Sequence, residues 1–384
     1  MAKFLSKDGK FYMRDGKLLQ LQPSTWLINE APDATPYVLS GTQPFTSSIG
    51  GVIYKFRSIS IGDGVISYYD LSQGEDAIVY NESRWPNAAL RKITFEEEPT
   101  GDLLTWLQAN AIKVTAPIVG KTLNEYTWDE ISYISSHNLT EKYGIKVGDT
   151  KSIIINGTIG NTTITNQTVN AVVIGINHNA EKEGNNRIHF LIGKSGNNLC
   201  GMTDEKYNTQ VSSTGWCSMN RYNNNSGGWS NSVMRKVFLG NSYAPTSQDS
   251  GSFMYALPMD LRRNMTFCTK YSDNTGGTSE KASNVTATTD YLFLLSEFEV
   301  FGRSNYANAA EQNSQTQYAY FKTGGSKTAG SWGNPATAIS WWLRSVQPGQ
   351  SGRGLNFCFV SSIGISNSNW GATYSFGVLP GFCV

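Results

Sequence analysis

Charge is what this chain has least of. Only 16% of its 384 residues are charged, against roughly a quarter in an ordinary globular protein. The balance is nearly even, 31 Lys and Arg against 30 Asp and Glu, for a net charge of +1. No basic stripe alternates with aromatics, so capture of a phosphate backbone has no electrostatic footing and no nucleic-acid partner is expected. No run approaches the roughly 18 apolar residues of a membrane span, so no membrane insertion is expected. The opening Met1-Ala2-Lys3-Phe4-Leu5-Ser6-Lys7-Asp8 has no apolar core of a secretory signal. The expectation is folding in a cytosol. Five cysteines, an odd number with no Cys-x-x-Cys, read as reduced, buried small hydrophobes. The three histidines, His137, His178 and His189, lie at no ligand-like spacing, so no metal is assigned to them. His178 reads as a satisfied structural histidine. No Gly-Lys-Ser/Thr step is present to cradle phosphate.

In place of charge there are 38 Gly, 19 Tyr, 17 Phe and 10 Trp, with Asn and Ser crowding the second half. Such a composition favours strands joined by long ordered loops. Residues 1–22 predict a small β element, because Asp15-Gly16 separates two short apolar runs as a hairpin turn would. That element is too small to fold alone and suits attachment or oligomerisation. Residues 23–118 predict a small β-rich module. Its strands are Val52–Ile61, Val65–Tyr69 after a Gly62-Asp63-Gly64 turn, and Lys92–Phe95. Apolar spacing over Thr100–Ala111 predicts a terminal helix.

Residues 119–384 predict one large α+β domain. Thr127-Trp128-Asp129-Glu130 is a capping box, and Ile131, Ile134 and His137 follow on one helical face. Lys151–Gly157 predicts a strand closed by an Asn156-Gly157 turn, and Val172–Ile176 a second strand. Gly228–Arg235 predicts a helix start, and Leu257–Arg262 a short helix or turn.

The C-terminal end is the most unusual stretch. Residues 328–384 contain two charged side chains, Arg344 and Arg353, but nine aromatics. The rest is chiefly Ser, Asn, Gly and small apolar residues. Aromatic rings give contact area at small entropic cost, and Ser, Asn and Gly give adaptable hydrogen bonding, the chemistry of antibody-like binding surfaces.

Three motifs follow in order here. They are Ser340-Trp341-Trp342-Leu343-Arg344-Ser345, then Asn356-Phe357-Cys358-x-Val360-x-Ser362-x-Gly364, then Gly377-Val378-Leu379-Pro380-Gly381-Phe382-Cys383. Upstream fragments keep the same order, among them Thr127–Ile131, Val147-Gly148-Asp149, Gly228-Trp229-Ser230 and Leu295–Gly302. Together they resemble the C-type-lectin-like domain of phage tail and gut-bacterial proteins, over about residues 120–384. One departure is Leu379, where many members carry Arg. The family includes the variable proteins of diversity-generating retroelements, such as phage tropism determinants. The resemblance implies a diversified ligand-binding segment at residues 344–376 and no catalytic residue. It also implies a place in the virion, at the phage tail. The implied partners are other tail proteins and a bacterial surface protein or glycan, with display as a homotrimer.

The contact set expected from this resemblance is Val346, Gln347, Gln350, Ser351, Arg353, Phe359, Ser361, Ile363, Ile365, Asn367, Asn369, Trp370, Tyr374 and Phe376. From Phe359 to Asn369 larger and smaller residues alternate, which in an extended chain places them on opposite faces. The residues alone leave open which set faces solvent; the resemblance favours the larger set. Trp341 and Trp342 read as one core and one half-buried residue rather than sugar platforms. Arg344 is expected to pair with Glu297 or Glu299, since its fork matches a carboxylate. Those two carboxylates, two apart, are expected on one face of a strand, which leaves a structural calcium open; no other cofactor is expected. Glu-Pro-Asn and Gln-Pro-Asp, the calcium-dependent sugar motifs of C-type lectins, are absent. The competing readings are a glycan-degrading tail hydrolase, which needs an acid pair across a cleft, and a purely structural tail or baseplate component.

Overall fold

The chain divides into two compact units, Met1–Ala116 and Pro117–Val384. The computed structural model describes the strands between residues 13 and 114 and the helical residues 104–105 and 107–108. It then describes residues 116–384 except 161, 205–215, 243–244, 246–250 and 349–355.

In the first unit, Met13–Arg14 pairs antiparallel with Lys17–Leu18 across Asp15-Gly16. The main sheet runs in the order Ala111–Val114, Ser24–Ile28, Arg91–Phe95, Phe45–Ile49, Val52–Gly62, Val65–Asp70 and Ile78–Glu82. Tyr37–Val38 is added beside Val52–Gly62. Every pairing is antiparallel. Within the expected terminal helix the described residues, 104–105 and 107–108, are helical, and the strand Ala111–Val114 then joins the sheet edge beside Ser24–Ile28.

The second unit is α+β. It opens with the helix Trp128–Ser136, started by the reciprocal capping of Thr127 and Glu130 (2.8 and 3.1 Å). Ile131 and Ile134 are buried. His137 does not share their face: it is the exposed C-cap, stacked on Tyr133.

A long hairpin follows, Thr150–Ile159 with Thr162–Ile176. Ile153, Ile155 and Ile159 point inward while Ile154 points out, the period-2 signature of a half-buried strand. Asn156-Gly157 is not its turn. The ladder shifts register between Ile155 and Gly157, where the partner strand holds one extra residue, and the inward positions continue in step to Ile159. The expected helix start at Gly228 is one α turn, Gly228–Asn231, followed by a π turn, Met234–Phe238.

The main sheet of this unit runs Thr150–Ile159, Thr162–Ile176, Ile188–Ser195, Asn198–Gly201, Ala329–Ser331, Ala338–Ile339. The last strand, Gly381–Cys383, comes back to its centre and pairs with Ile188–Ser195 and Leu292–Phe293. Phe382 stacks on Phe190 at 5.0 Å, and both meet the edge of Trp128. Ser135 on the first helix donates to the Val384 carbonyl. The two ends of the unit are thus held together over one core. A smaller antiparallel sheet, Trp341–Val346, Phe357–Val360 and Ser366–Asn367, carries the C-terminal motifs.

Gly193 shows how tightly this core is closed. Its φ is +117°, and a Cβ there would lie 1.8 Å from the Cys200 carbonyl oxygen. Gly193→Ala therefore combines backbone strain with a backbone clash. It is expected to lower stability by roughly 2–6 kcal/mol, read as a drop in the denaturant midpoint.

Candidate functional site: the C-terminal hairpin and its buried base

The strand Trp341–Val346 is buried along its whole length. Trp341 and Trp342 are both interior, so the expectation of one half-buried ring is corrected. Each indole N–H is satisfied inside the protein, Trp341 by the Lys327 carbonyl and Trp342 by the Cys217 carbonyl, both at 2.9 Å.

Beneath this strand lies a buried charge cluster. Arg344 grips Glu299 with two hydrogen bonds, 2.5 and 2.9 Å. It also donates to Ser272 Oγ (2.9 Å) and the Leu294 carbonyl (2.8 Å). Lys270 reaches Glu183 (2.5 Å), Glu299 (3.0 Å) and the Tyr318 hydroxyl (2.7 Å). Burial alone would raise the Glu299 pKa, but Arg344 and Lys270 outweigh it and hold the carboxyl far below its ordinary range. Burial likewise works against the Lys270 ammonium, yet Cys268, Glu183 and Glu299 reverse that and keep it charged.

Glu297 takes other partners. One oxygen accepts the backbone N–H groups of Asn305, Tyr306 and Ala307 (3.1, 3.0 and 2.8 Å). The other accepts the hydroxyl of Ser366, on the third strand of the small sheet. Its own N–H donates to Ser345 Oγ (3.1 Å), which donates to Glu311 (2.6 Å). The strand expected over Ser296–Glu299 is in fact the helix Glu297–Phe301. Ser296 and Glu299 form a second capping box, the same Ser/Thr-x-x-Glu signature read at Thr127. The helical turn sends the two carboxylates to separate partners, so they do not form the shared pair imagined for calcium.

The histidines sit at the edge of this cluster. His178 stacks on Tyr318 at 3.7 Å, and burial followed by Lys270 pushes its pKa down to about 3, so the ring is neutral. It is not fully satisfied as expected: Nε2 has no hydrogen-bond partner among the described residues. His189 Nδ1, Cys268 Sγ and Cys383 Sγ lie within 4.8 Å of one another, as do ligand atoms of His178, Glu183 and Glu299. In the latter group the Lys270 ammonium already supplies the cation between the two carboxylates. All five cysteines are free and buried.

On this base stands a hairpin. Phe357–Val360 pairs with Ser366–Asn367, and residues 361–365 form its tip. The tip is closed by Gly364 N to Ser361 O and Ser361 N to Ile365 O, both 2.8 Å, with Gly364 at φ +81°. Ile363 is 72% exposed and Ile365 53%. Beyond the tip, Asn369 is exposed, and half-buried Trp370 and Tyr374 lie against each other with ring centroids 4.5 Å apart. This loop is held by its neighbour at residues 220–224: Asn223 Oδ1 accepts from Ala372 N (3.0 Å), and Asn220 N donates to the Ala372 carbonyl (3.1 Å). Tyr222 on that neighbour is 79% exposed.

The structure therefore separates the expected contact set. Val346, Gln347, Phe359 and Phe376 are interior and are corrected to core residues. The strand Phe357–Val360 is covered on both faces, so alternation there does not distinguish outside from inside. Phe359 packs against Trp342 and Phe376 at 6.0 and 4.7 Å. The turn at 361–364 then breaks the alternation. Ser361 and Asn367 are half-buried, and Asn367 Oδ1 is engaged by Ser368 N (2.7 Å) and Asn369 N (3.2 Å). Gln350, Ser351 and Arg353 lie outside the described residues. Surface remains at Ile363, Ile365, Asn369, Trp370 and Tyr374. Sequence reading missed Tyr222, although Arg221-Tyr222-Asn223-Asn224-Asn225 has the same aromatic and amide composition that singled out the C-terminal segment.

Residues 203–384 match a family model described as a domain of unknown function, DUF6273. The match spans the hairpin and the cluster residues Lys270, Glu299 and Arg344, and begins after Glu183. No curated protein and no solved structure matches the chain.

Two outcomes follow from the cluster. Removing Arg344 leaves Glu299 buried with one cation fewer, so Arg344→Ala is expected to cost about 3–5 kcal/mol in urea unfolding. Glu311 is different: burial raises its pKa from 4.5 to about 7, despite hydrogen bonds from Ser345 and the Asp273 N–H. Between those two pH values the folded state keeps a proton that the unfolded state has released. Its contribution therefore falls as pH rises from 4.5 to 7, by at most about 3 kcal/mol. Glu311→Gln should flatten that part of the stability–pH curve; an unchanged slope would show that Glu311 does not titrate there.

Proposed function

We propose that this chain is a receptor-binding, host-tropism protein of a phage tail, built on a C-type-lectin-like scaffold. The observation that carries this reading is the hairpin tip. Ile363 and Ile365 are held in solvent by a turn whose stem is fixed to a buried charge network. Exposed isoleucines gain nothing from folding, and neighbouring apolar groups displayed with amides and aromatic rings suit a partner surface. Asn369, Trp370 and Tyr374 offer further contact surface, with hydrogen bonding and ring contact. The partner is a bacterial surface protein or glycan bound without covalent chemistry. Residues 1–116 serve attachment to other tail proteins. Trimeric display would convert weak single-site contacts into avidity. Diversification of residues 344–376 would change the tip and loop while leaving Trp341, Trp342, Glu297 and Glu299 as scaffold.

The test is retention of labelled full-length protein on a panel of intact bacterial strains. The paired substitution Ile363→Ser with Ile365→Ser is expected to reduce retention on the responsive strain about tenfold or more. Stability should change by no more than about 0.5 kcal/mol, because both side chains are exposed. Equal retention of the substituted protein, or no retention on any strain, would sink this assignment.

A further inference from the structure

A second concave surface lies away from the hairpin tip. The first half of the strand Thr162–Ile176 is polar and largely solvent-facing, in contrast to its buried second half. Beside it opens a cleft of about 310 Å3, lined by Thr163, Thr165, Gln167, Thr203 and Trp332 among others. A second cleft of about 180 Å3 shares Gln167 and Trp332, and adds Asn170, Lys194 and Ser195. Trp332 stands where the two meet.

The orientation of Trp332 is fixed from within. Its N–H donates to the Cys200 carbonyl at 3.1 Å, and its ring leans on Phe253 at 5.8 Å. With its polar edge already satisfied, the indole offers the clefts only an apolar surface. Around it are hydroxyls and side-chain amides, which can both donate and accept. Thr163 and Thr165 are alternate positions of one strand, roughly 7 Å apart, a step on the order of one sugar residue; Gln167 follows an irregularity at Asn166 (φ +47°) and lines the same cleft. Among the described residues, the larger cleft is lined by no charged side chain, and the smaller by one, Lys194.

An apolar ring beside neutral donor–acceptor groups matches a sugar, which presents C–H patches alternating with hydroxyls. It does not match a phosphate or carboxylate, which calls for Arg or Lys forks. We propose that the cleft formed by Thr163, Thr165, Gln167, Thr203 and Trp332 is a binding site for a neutral glycan chain, distinct from the hairpin tip. Trp332 is the stacking surface, and Thr163, Thr165 and Gln167 read the hydroxyls. The chain continues past Trp332 toward Asn170 and Ser195.

Full-length protein is applied to a microarray of neutral oligosaccharides (glucans, mannans, galactans and N-acetylglucosamine oligomers) with uronic-acid polymers alongside. Retention on at least one neutral class is expected. Trp332→Ala, and separately Thr165→Ala with Gln167→Ala, should each weaken it about tenfold or more, equivalent to about 1.4 kcal/mol. Trp332 also packs on the core, so the pair of exposed Thr165 and half-buried Gln167 decides the matter if Trp332→Ala does not fold. Ile363→Ser with Ile365→Ser should leave glycan retention unchanged, so failure at the tip and failure at the cleft are told apart. No retention on any neutral glycan, retention on uronic-acid polymers alone, or retention that survives the Thr165 and Gln167 substitutions would overturn the proposal.

Discussion

The second unit depends on an ion cluster buried away from solvent. Arg344, Glu299, Lys270 and Glu183 are taken out of solvent together, and each would be untenable alone. Their mutual hydrogen bonds join elements far apart in sequence: the short helix around Glu183, the strand carrying Lys270, the helix of Glu299 and the strand of Arg344. An apolar core could slide among similar packings. A paired charge with a fixed fork accepts one geometry, which suits a scaffold that must hold a surface loop in place.

That constraint reaches the surface through Glu297. Its carboxylate is filled on one side by three backbone amides and on the other by Ser366, a residue adjacent to exposed Ile365. The hairpin is therefore fixed at its stem and free of core duties at its tip. The same division of labour holds in the loop beyond it, where Asn223 pins the backbone at Ala372 and leaves Asn369 outside. Changes of side chain at such tips cost little in folding, because the positions that hold them are elsewhere.

Local signals in the sequence were readable where they act locally. The Thr127 capping box, the pairing of Met13–Arg14 with Lys17–Leu18 and the strand begun at Lys151 all rest on neighbours a few residues apart. Ser296-x-x-Glu299 carries the same kind of signal, and reading it as a strand overlooked it. Orientation in the C-terminal segment was not readable in this way. Phe359 and Ile365 are similar in polarity, but one lies between Trp342 and Phe376 and the other on a turn. Only the small sheet, with its middle strand covered on both faces, tells them apart. The ion cluster was half visible: the fork of Arg344 invited a carboxylate, but Glu183 and Lys270 come from segments that no spacing rule connects to it.

The return of residues 381–383 to the middle of the main sheet bears on how the molecule is born. His189 pairs with Cys383, 194 positions further along the chain, and Ser135 reaches forward to Val384. A ribosome releasing this chain must expose nearly the whole unit before its central strand can be filled, and contacts so distant form slowly. A nascent or prematurely stopped polypeptide would hold a gap where Phe382 belongs and leave Phe190 and Trp128 without their cover. Residues 381–383 thus close a core whose other walls, Trp128 and Phe190, are laid down far earlier in the chain.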